Sequence, residues 1–214
     1  MSFRAFPVLP IDAHRSEGYN PFRGLLAPNT GVPNTMLERI NAMLAVIDYQ
    51  DALLAKIPAA IEILPVGAKL IRFANELDIP VLWTEQYPKG LGPTASVIAQ
   101  ELEGRAPIEK IAFDCFGAPD FARAVEASGR RQLLVIGVEA HVCVLQTVLS
   151  TLALGYEAFV VRDAVGSRDP ANAAAALERM QADGAQIVTS EMAMFEVLRV
   201  AGTPEFKRVL PLIK

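Results

Sequence analysis

The sequence has little of what marks several large classes of protein. Among 214 residues there are two cysteines and two histidines, and the formal net charge is −4. Two cysteines without a secretion signal favour reduced thiols in the cytoplasm. The charge leaves no basic face for nucleic acid, and no apolar run approaches the ~20 residues that cross a bilayer. We therefore expect a soluble cytoplasmic protein with neither a nucleic-acid nor a membrane partner.

Regular patterning is also missing from residues 1–37. Five prolines and three glycines interrupt this segment and forbid long helices or strands. The segment has no apolar core long enough for a signal peptide, yet it carries more phenylalanine and leucine than a disordered tail would. We expect an irregular arm over residues 1–37, lying on its own domain or on a neighbouring subunit, and a main domain over residues 38–214.

After residue 37, short apolar runs alternate with segments of helical periodicity. The predicted strands are residues 43–47, 80–83, 108–113, 133–136, 158–161 and 185–188. The predicted helices are residues 65–77, 97–102, 119–128, 142–154, 171–182, 190–201 and 206–213. Continuous apolar strands separated by helices are typical of a parallel sheet covered on both faces. The pattern predicts a three-layer α/β/α fold with a doubly wound sheet of about six parallel strands.

The stretch from Leu133 to Val161 reads as a strand, a tight turn, a cysteine, a helix and a second strand. Cys143 then lies at a helix N-terminus, where free N–H groups and the helix dipole favour a thiolate and can receive a negative oxygen. We expect a lowered thiol pKa and alkylation of Cys143 below the ordinary value of about 8.5. The alternative is that Cys143 is a small buried hydrophobe, which is the usual fate of a free cysteine.

Two further reactive side chains are predicted at the same edge of the sheet. Asp48 follows the first strand and Lys110 lies beside the third. Asp48 could instead cap a turn, and Lys110 could be a solvated surface residue. A carboxylate, an ammonium and a thiol at one sheet edge nevertheless form a plausible catalytic group, in which Asp48 takes the thiol proton and later delivers it to a leaving group.

Four blocks carry a family resemblance: AVIDYQ, TEQYPKGLGPT, EKIAFDCF and GVEAHVCVLQTVL. In order and spacing they resemble the isochorismatase-like cysteine hydrolase superfamily, and the second block and the C-terminus resemble the isochorismatase-domain-containing proteins. The resemblance implies a catalytic triad of Asp48, Lys110 and Cys143. It also implies a cis peptide bond between Val138 and Glu139, and an oxyanion hole formed by the backbone N–H groups of Glu139 and Cys143.

The same resemblance guides the expectations for metal and for the substrate pocket. Nicotinamidases of this superfamily bind a metal through histidines near the catalytic aspartate, but no histidine follows Asp48 closely here, so we expect no metal and no other cofactor. The expected pocket residues are Gln50, Tyr87, Phe113 and His141. His141 is read as pocket wall, with a second acid–base group as the alternative. Basic residues for a dicarboxylate substrate would be Lys89 and Arg168.

Two other side chains are assigned structural roles. Trp83 lies within a predicted strand and is expected in the core. Cys115 is read as a bystander rather than as a resolving cysteine.

The sequence therefore predicts a metal-independent hydrolase that cleaves a small amide, or a related molecule, through a Cys143 thioester. The alternatives are a vinyl-ether hydrolase of the isochorismatase type and a non-catalytic binding or scaffold protein on the same fold. The helix at 142–154 is apolar nearly all round, so both of its faces need cover. This pattern, with the resemblance, predicts a homo-oligomer, a dimer or tetramer; the alternative is that the arm covers the helix within one chain.

Overall fold

The computed structural model describes residues 36–213, and these form one parallel sheet between two layers of helices. The strands are β1 (Ala42–Ile47), β2 (Val81–Gln86), β3 (Ile108–Lys110), β4 (Gln132–Val138), β5 (Glu157–Gly166) and β6 (Gln186–Val188). Their order across the sheet is β3-β2-β1-β4-β5-β6, and every pairing is parallel. The doubly wound three-layer fold is thus confirmed. The chain winds outward first through β2 and β3, then through β4, β5 and β6, so the winding reverses between β1 and β4.

The helices fill the crossovers between the strands. They are α1 (Asp51–Leu54), α2 (Ala60–Glu76), α3 (Pro88–Leu91), α4 (Ser96–Ala99), α5 (Pro119–Ser128), α6 (Leu145–Ala153), α7 (Pro170–Ala182), α8 (Ser190–Leu198) and α9 (Pro204–Ile213). Short 3-10 turns span Gln100–Leu102 and Cys115–Gly117, and a π-helical turn spans Ala140–Val144. The alternating side chains of each strand divide the core into two apolar clusters, one on each face of the sheet.

Two strand boundaries differ from the prediction in ways that matter for function. β2 continues through Thr84, Glu85 and Gln86, which were expected in a loop, because these polar side chains are buried and bonded inside the fold. β4 does not stop at Gly137. A Cβ on Gly137 would lie 2.5 Å from the Ile47 carbonyl oxygen, so glycine allows β4 to approach β1 closely while the strand continues.

Helix α6 is covered within one chain more fully than its composition suggested. Thr147 and Thr151 are buried, and their hydroxyls donate to the carbonyls of Cys143 and Thr147 at 2.7 Å. The helix packs on β5 and α7 and against the 3-10 turn at Cys115–Gly117. The expectation that one face of α6 packs on the sheet is therefore confirmed, and the threonine hydroxyls can be buried there because they bond inside the helix. Gln146 and Leu154 are exposed, and the expectation that the other face meets another protein surface stays a prediction.

The predicted arm lies outside the described residues, apart from Met36 and Leu37. Leu37 is fully buried in the core, and its N–H donates to Glu196 at 2.7 Å. His14 also lies outside the described residues.

Candidate active site

The three predicted catalytic residues converge at the carboxyl edge of the sheet. Asp48 directly follows β1, Lys110 is the last residue of β3, and Cys143 lies in the π-helical turn after β4. β1 and β4 are neighbours, with Ile47 paired to Gly137 at their ends. The site therefore occupies the point where the winding of the sheet reverses, which is where open α/β sheets bind ligands.

Asp48 and Lys110 form a buried ion pair. Lys110 Nζ lies 2.7 Å from Asp48 Oδ2, and neither side chain is exposed. Nζ also donates to Gln86 Oε1 at 2.8 Å and to the Phe113 carbonyl at 3.2 Å. Gln86, the last residue of β2, therefore fixes the position of the Lys110 ammonium. Burial is the largest single effect and lowers the pKa of Lys110. The attraction of Asp48, together with that of Cys115 and Cys143 in their ionised forms, outweighs it, and the net pKa is raised.

The second carboxylate oxygen of Asp48 has its own donor. Thr84 Oγ1 donates to Asp48 Oδ1 at 2.7 Å, and Thr84 is fully buried in β2. The backbone of Asp48 has a φ of 55°, which is uncommon for a residue other than glycine. A donor on each oxygen fixes the plane of the carboxylate beside the nucleophile.

The thiol of Cys143 is buried, and the Asp48 carboxylate is near enough to act on it electrostatically. Burial is the largest effect and raises the pKa of the thiol, the Asp48 carboxylate raises it further, and Lys110 lowers it by less. The expectation of a lowered thiol pKa was therefore wrong, because it counted the cation and the helix end but not the burial or the facing carboxylate. At neutral pH the site holds a neutral thiol beside a carboxylate that can accept its proton.

The turn that presents Cys143 differs from the expected one. The described residues contain no cis peptide bond, so the bond between Val138 and Glu139 is trans, contrary to the prediction. The chain turns instead at Glu139, which has a φ of 54° and a ψ of 61° and precedes the π-helical turn. The Glu139 carbonyl accepts from the Val142 N–H at 2.8 Å, which closes the turn that carries the nucleophile.

The predicted pocket residues divide into two groups. Gln50 is fully buried: its Nε2 donates to the Gln86 and Gly92 carbonyls and its Oε1 accepts from the Gln86 N–H, so it fastens the loop after β2 and does not line a pocket. Tyr87 and Phe113 are 51% and 52% exposed. The Tyr87 N–H donates to the Lys110 carbonyl, and the Phe113 carbonyl accepts from Lys110 Nζ. These two aromatic side chains are thus accessible beside the triad.

His141 belongs to a polar cluster on the β5 side of Cys143. Its Nδ1 lies 3.0 Å from Ser167 Oγ and 3.4 Å from Glu139 Oε2. Arg168 Nε lies 3.7 Å from the same Glu139 oxygen, which is buried and has no hydrogen-bond partner among the described residues. No hydrogen bond between His141 and Cys143 is found in this part of the chain. The contacts favour the pocket-wall role of His141 over a second acid–base role.

Side chains for a metal or an anionic substrate are scarce in this region. Within residues 36–213, no group of three or more His, Cys, Asp or Glu side chains is arranged to hold a metal ion. Lys89 is exposed on α3, and Arg168 is 64% exposed and faces Glu139. Neither supplies a buried cation for a carboxylate ligand.

Sequence reasoning missed the residues that support the triad. Thr84, Gln86 and Thr147 are buried, and their side chains bond to Asp48, to Lys110 and to the Cys143 carbonyl. Thr84 and Gln86 directly extend an apolar strand toward the expected active edge, which is the signal that could have identified them. Trp83 packs partly buried against the core and donates to Thr94, and Cys115 is fully buried near the triad.

Comparison with known proteins gives one consistent family. A family model described as the isochorismatase domain matches residues 42–192. Isochorismatase domain-containing protein 2A of Mus musculus is 36% identical over 177 residues, which cover 81% of this chain and 83% of that protein. The secreted isochorismatase effector Isc1 of Phytophthora sojae is 39% identical over 150 residues, covering 68% and 71% of the two chains. These relatives are matched over most of their length.

Solved structures agree with this assignment. MAR1 ribonuclease from Caenorhabditis elegans has a TM-score of 0.79 at 35% identity, covering 83% of this chain and 92% of that one. YcaC from Pseudomonas aeruginosa, solved with hexane-2,5-diol and covalent acrylamide, has a TM-score of 0.77 at 28% identity, covering 85% and 93%. The Escherichia coli YcaC product, described as an octameric hydrolase of unknown specificity, has a TM-score of 0.74 at 27% identity, covering 79% and 85%.

The predicted cytoplasmic location has little support from these findings. Within residues 36–213, no helix has both the length and the apolarity needed to cross a membrane. One relative is described as secreted, so the cytoplasmic location stays a prediction.

The fold, the family model and the relatives all agree over the segment that carries the site. The chain belongs to the isochorismatase domain family.

Proposed function

We propose that this chain is a metal-independent cysteine hydrolase that cleaves the C–N bond of a small amide through a thioester on Cys143. The observation that carries the proposal is the buried ion pair of Asp48 and Lys110 at the sheet edge where the buried Cys143 also lies. This arrangement joins a nucleophile, a base and a fixed positive charge at the ligand-binding edge of the sheet. Members of this family are generally hydrolases, which supports the reaction class.

The proposed reaction uses the three side chains in turn. Asp48 accepts the thiol proton as the sulfur of Cys143 attacks the carbonyl carbon, and the carbonyl oxygen becomes an oxyanion beside the N–H groups of the turn at Glu139 and Cys143. The intermediate collapses with breakage of the C–N bond, and Asp48 returns the proton to the departing amine. Asp48 then accepts a proton from a water molecule as that water attacks the thioester carbon. The C–S bond breaks, the carboxylic acid leaves, and Asp48 returns the proton to the Cys143 sulfur. Lys110 keeps its charge throughout.

A protein of similar structure supports the assignment of Cys143 as the nucleophile. The Pseudomonas YcaC structure contains covalently bound acrylamide, an electrophile that is itself a small amide. A covalent adduct of this kind requires a reactive nucleophile in that protein. We extend this property to Cys143 as part of the proposal.

The second candidate is a vinyl-ether hydrolase of the isochorismatase type. The observation that favours it is the 39% identity to an effector described as an isochorismatase. A dicarboxylate substrate needs cations in the pocket, however, and the Lys110 ammonium is already bonded to Asp48 and Gln86. Arg168 and Lys89 are largely exposed, so the amide substrate is favoured. A non-catalytic binding or scaffold protein is the third candidate, and it predicts no turnover.

The deciding experiment incubates the full chain with a panel of small amides and ureido compounds and measures ammonia release, with a chelator present in a parallel series. Isochorismate and a short RNA belong in the same panel, because relatives and neighbours are described as an isochorismatase effector and a ribonuclease. Ammonia release that survives the chelator and is absent in Cys143→Ser supports the proposal. Turnover of isochorismate or RNA alone, or turnover retained in Cys143→Ser, would overturn it.

The proposal extends to assembly and location. One neighbour is described as octameric, which supports a homo-oligomer of this chain. Cytoplasmic location remains part of the same proposal.

A further inference from the structure

Buried hydrogen bonds connect the Asp48 carboxylate to two residues outside the triad, Thr84 and Cys115. Thr84 Oγ1 donates to Asp48 Oδ1 at 2.7 Å, and the Cys115 sulfur lies 3.9 Å from the same Thr84 oxygen, within reach of a weak S–H donor. Thr84, Asp48 and Cys115 are all fully buried. The Thr84 hydroxyl therefore accepts from a thiol on one side and donates to the carboxylate on the other.

The same cysteine is connected to the nucleophile. The Cys115 N–H donates to Thr147 Oγ1 at 3.0 Å, and Thr147 Oγ1 donates to the Cys143 carbonyl at 2.7 Å. Two buried threonines and one buried cysteine thus join the backbone of Cys143 to the side chain of Asp48. The path has two hydrogen-bonded segments, Cys115 Sγ–Thr84–Asp48 and Cys115 N–Thr147–Cys143, which are joined by the covalent frame of Cys115. Buried and satisfied hydrogen bonds of this kind fix the groups that they join.

We propose that Thr84 is a positioning residue for the proton-accepting carboxylate, and that Cys115 orients the Thr84 hydroxyl toward it. This inference rests on the proposed function of Asp48 as the base. Lys110 holds Oδ2 and Thr84 holds Oδ1, so the carboxylate cannot rotate, and its remaining lone pairs are available to the Cys143 thiol. Cys115 serves this role as a neutral thiol and forms no bond to Cys143.

The direction of the effect follows from what Thr84 bonds to. Its hydroxyl donates to the charged form of Asp48, and a donor to a carboxylate disfavours protonation of that carboxylate. The other ionisable groups facing Asp48 are Lys110 from β3, Cys143 from the π-helical turn and Cys115 from the 3-10 turn. They stay in place when Thr84 is replaced by valine, which has the same shape and lacks only the hydroxyl. The carboxylate should then be held less firmly as the proton acceptor for the Cys143 thiol.

The test measures alkylation of Cys143 by iodoacetamide across pH, with peptide mass spectrometry separating Cys143 from Cys115. For Thr84→Val we expect the midpoint of the acid limb of the rate profile to rise by about one to two pH units, which corresponds to the usual strength of one hydrogen bond to a charged group. Thr84→Ser, which keeps the hydroxyl, should restore the wild-type midpoint. Cys115→Ala should move it in the same direction by less. Urea unfolding of each variant checks that it is folded.

The outcomes separate this inference from the proposed function. Alkylation needs no substrate, so a raised midpoint in Thr84→Val supports the positioning role even if no compound in the panel is hydrolysed. An unchanged midpoint in folded Thr84→Val, or a serine variant that behaves like the valine variant, would overturn the inference even if the wild-type chain releases ammonia. Should Thr84→Val not fold, the Cys115→Ala midpoint decides: a rise supports the inference, and no rise overturns it.

Discussion

Replacing Lys110 by methionine tests whether the Asp48–Lys110 pair is essential to the fold as well as to the site. Methionine keeps most of the apolar stem of lysine and removes the charge. Asp48 would then be a fully buried carboxylate without its cation, and Gln86 Oε1 and the Phe113 carbonyl would lose a donor. Removing one partner of a buried ion pair costs about 3–5 kcal/mol, because the other charge stays buried and unpaired.

This loss in the free energy of unfolding is large compared with the total stability of an ordinary domain, which is about 5–15 kcal/mol. With a urea dependence of about 2 kcal/mol per molar, Lys110→Met should lower the urea midpoint by roughly 2 M. The matched control is Lys89→Met, which removes an exposed lysine from α3 and should change stability by less than about 0.5 kcal/mol. The assay is equilibrium urea unfolding at pH 7, followed by circular dichroism.

The double variant Asp48→Asn with Lys110→Met identifies the cause of the loss. Asparagine needs no counter-ion, so the double variant should recover about 1–3 kcal/mol relative to the sum of the two single variants. Additive losses in the double variant, or a Lys110→Met variant within about 1 kcal/mol of the wild type, would refute this reasoning.

Three further predictions follow from the site and its surroundings. Cys143→Ser should keep the urea midpoint of the wild type and lose turnover by at least about a thousandfold, because the hydroxyl is a far weaker nucleophile; comparable ammonia release by both proteins would contradict it. Burial raises the pKa of the Cys115 thiol to about 12 from 9.0. The unfolded chain therefore loses this proton at a lower pH than the folded chain, so the free energy of unfolding should be constant below about pH 9 and fall as the pH rises toward 12. Urea unfolding at about pH 7, 9 and 10 should show a smaller fall in Cys115→Ala than in the wild type. An equal fall in the two proteins would contradict this prediction. Light scattering at micromolar concentration should give a multiple of the 23.1 kDa chain mass, and a mass of one chain would refute the homo-oligomer.

The fold could be predicted because its main signals are local. Buried strands such as β1 and β4 appear in the sequence as continuous apolar runs, and the residues directly after such runs lie at one edge of a parallel sheet. The order of the chain and the direction of the strands are therefore enough to place Asp48 and Cys143 at the same edge. Lys110 joins them because β3 ends at this residue and not at the predicted residue 113.

The supporting residues could not be found in the same way, because their roles depend on contacts between distant segments. Gln50 looked like a pocket residue from its position beside Asp48, yet it bonds to the backbone of Gln86 and of the loop that follows β2. Thr84 and Gln86 looked like loop residues because they are polar, although a polar group is readily buried when it has a partner. No sequence pattern identifies that partner 24 or 36 residues away.

The direction in which the Cys143 pKa shifts was predicted wrongly for a related reason. A helix end and a lysine are visible in the sequence, and both lower a thiol pKa. Burial and the facing Asp48 carboxylate raise it, and both depend on three-dimensional packing. The sequence shows which charged groups are present but not how far each is removed from water, and burial is the largest effect on this thiol.

A raised thiol pKa is compatible with a cysteine nucleophile when the proton stays inside the site. Loss of the Cys143 proton to solvent would leave Asp48, Lys110 and Cys143 with a net charge of −1 in a buried place, which is costly. Transfer to Asp48 instead leaves one negative sulfur and one positive lysine, the same net charge as before. The buried cation that offsets the carboxylate in the resting state then offsets the thiolate. Under the proposed mechanism, the nucleophile forms by movement of a proton between two fixed neighbours, and its formation does not require the low solution pKa that the sequence suggested.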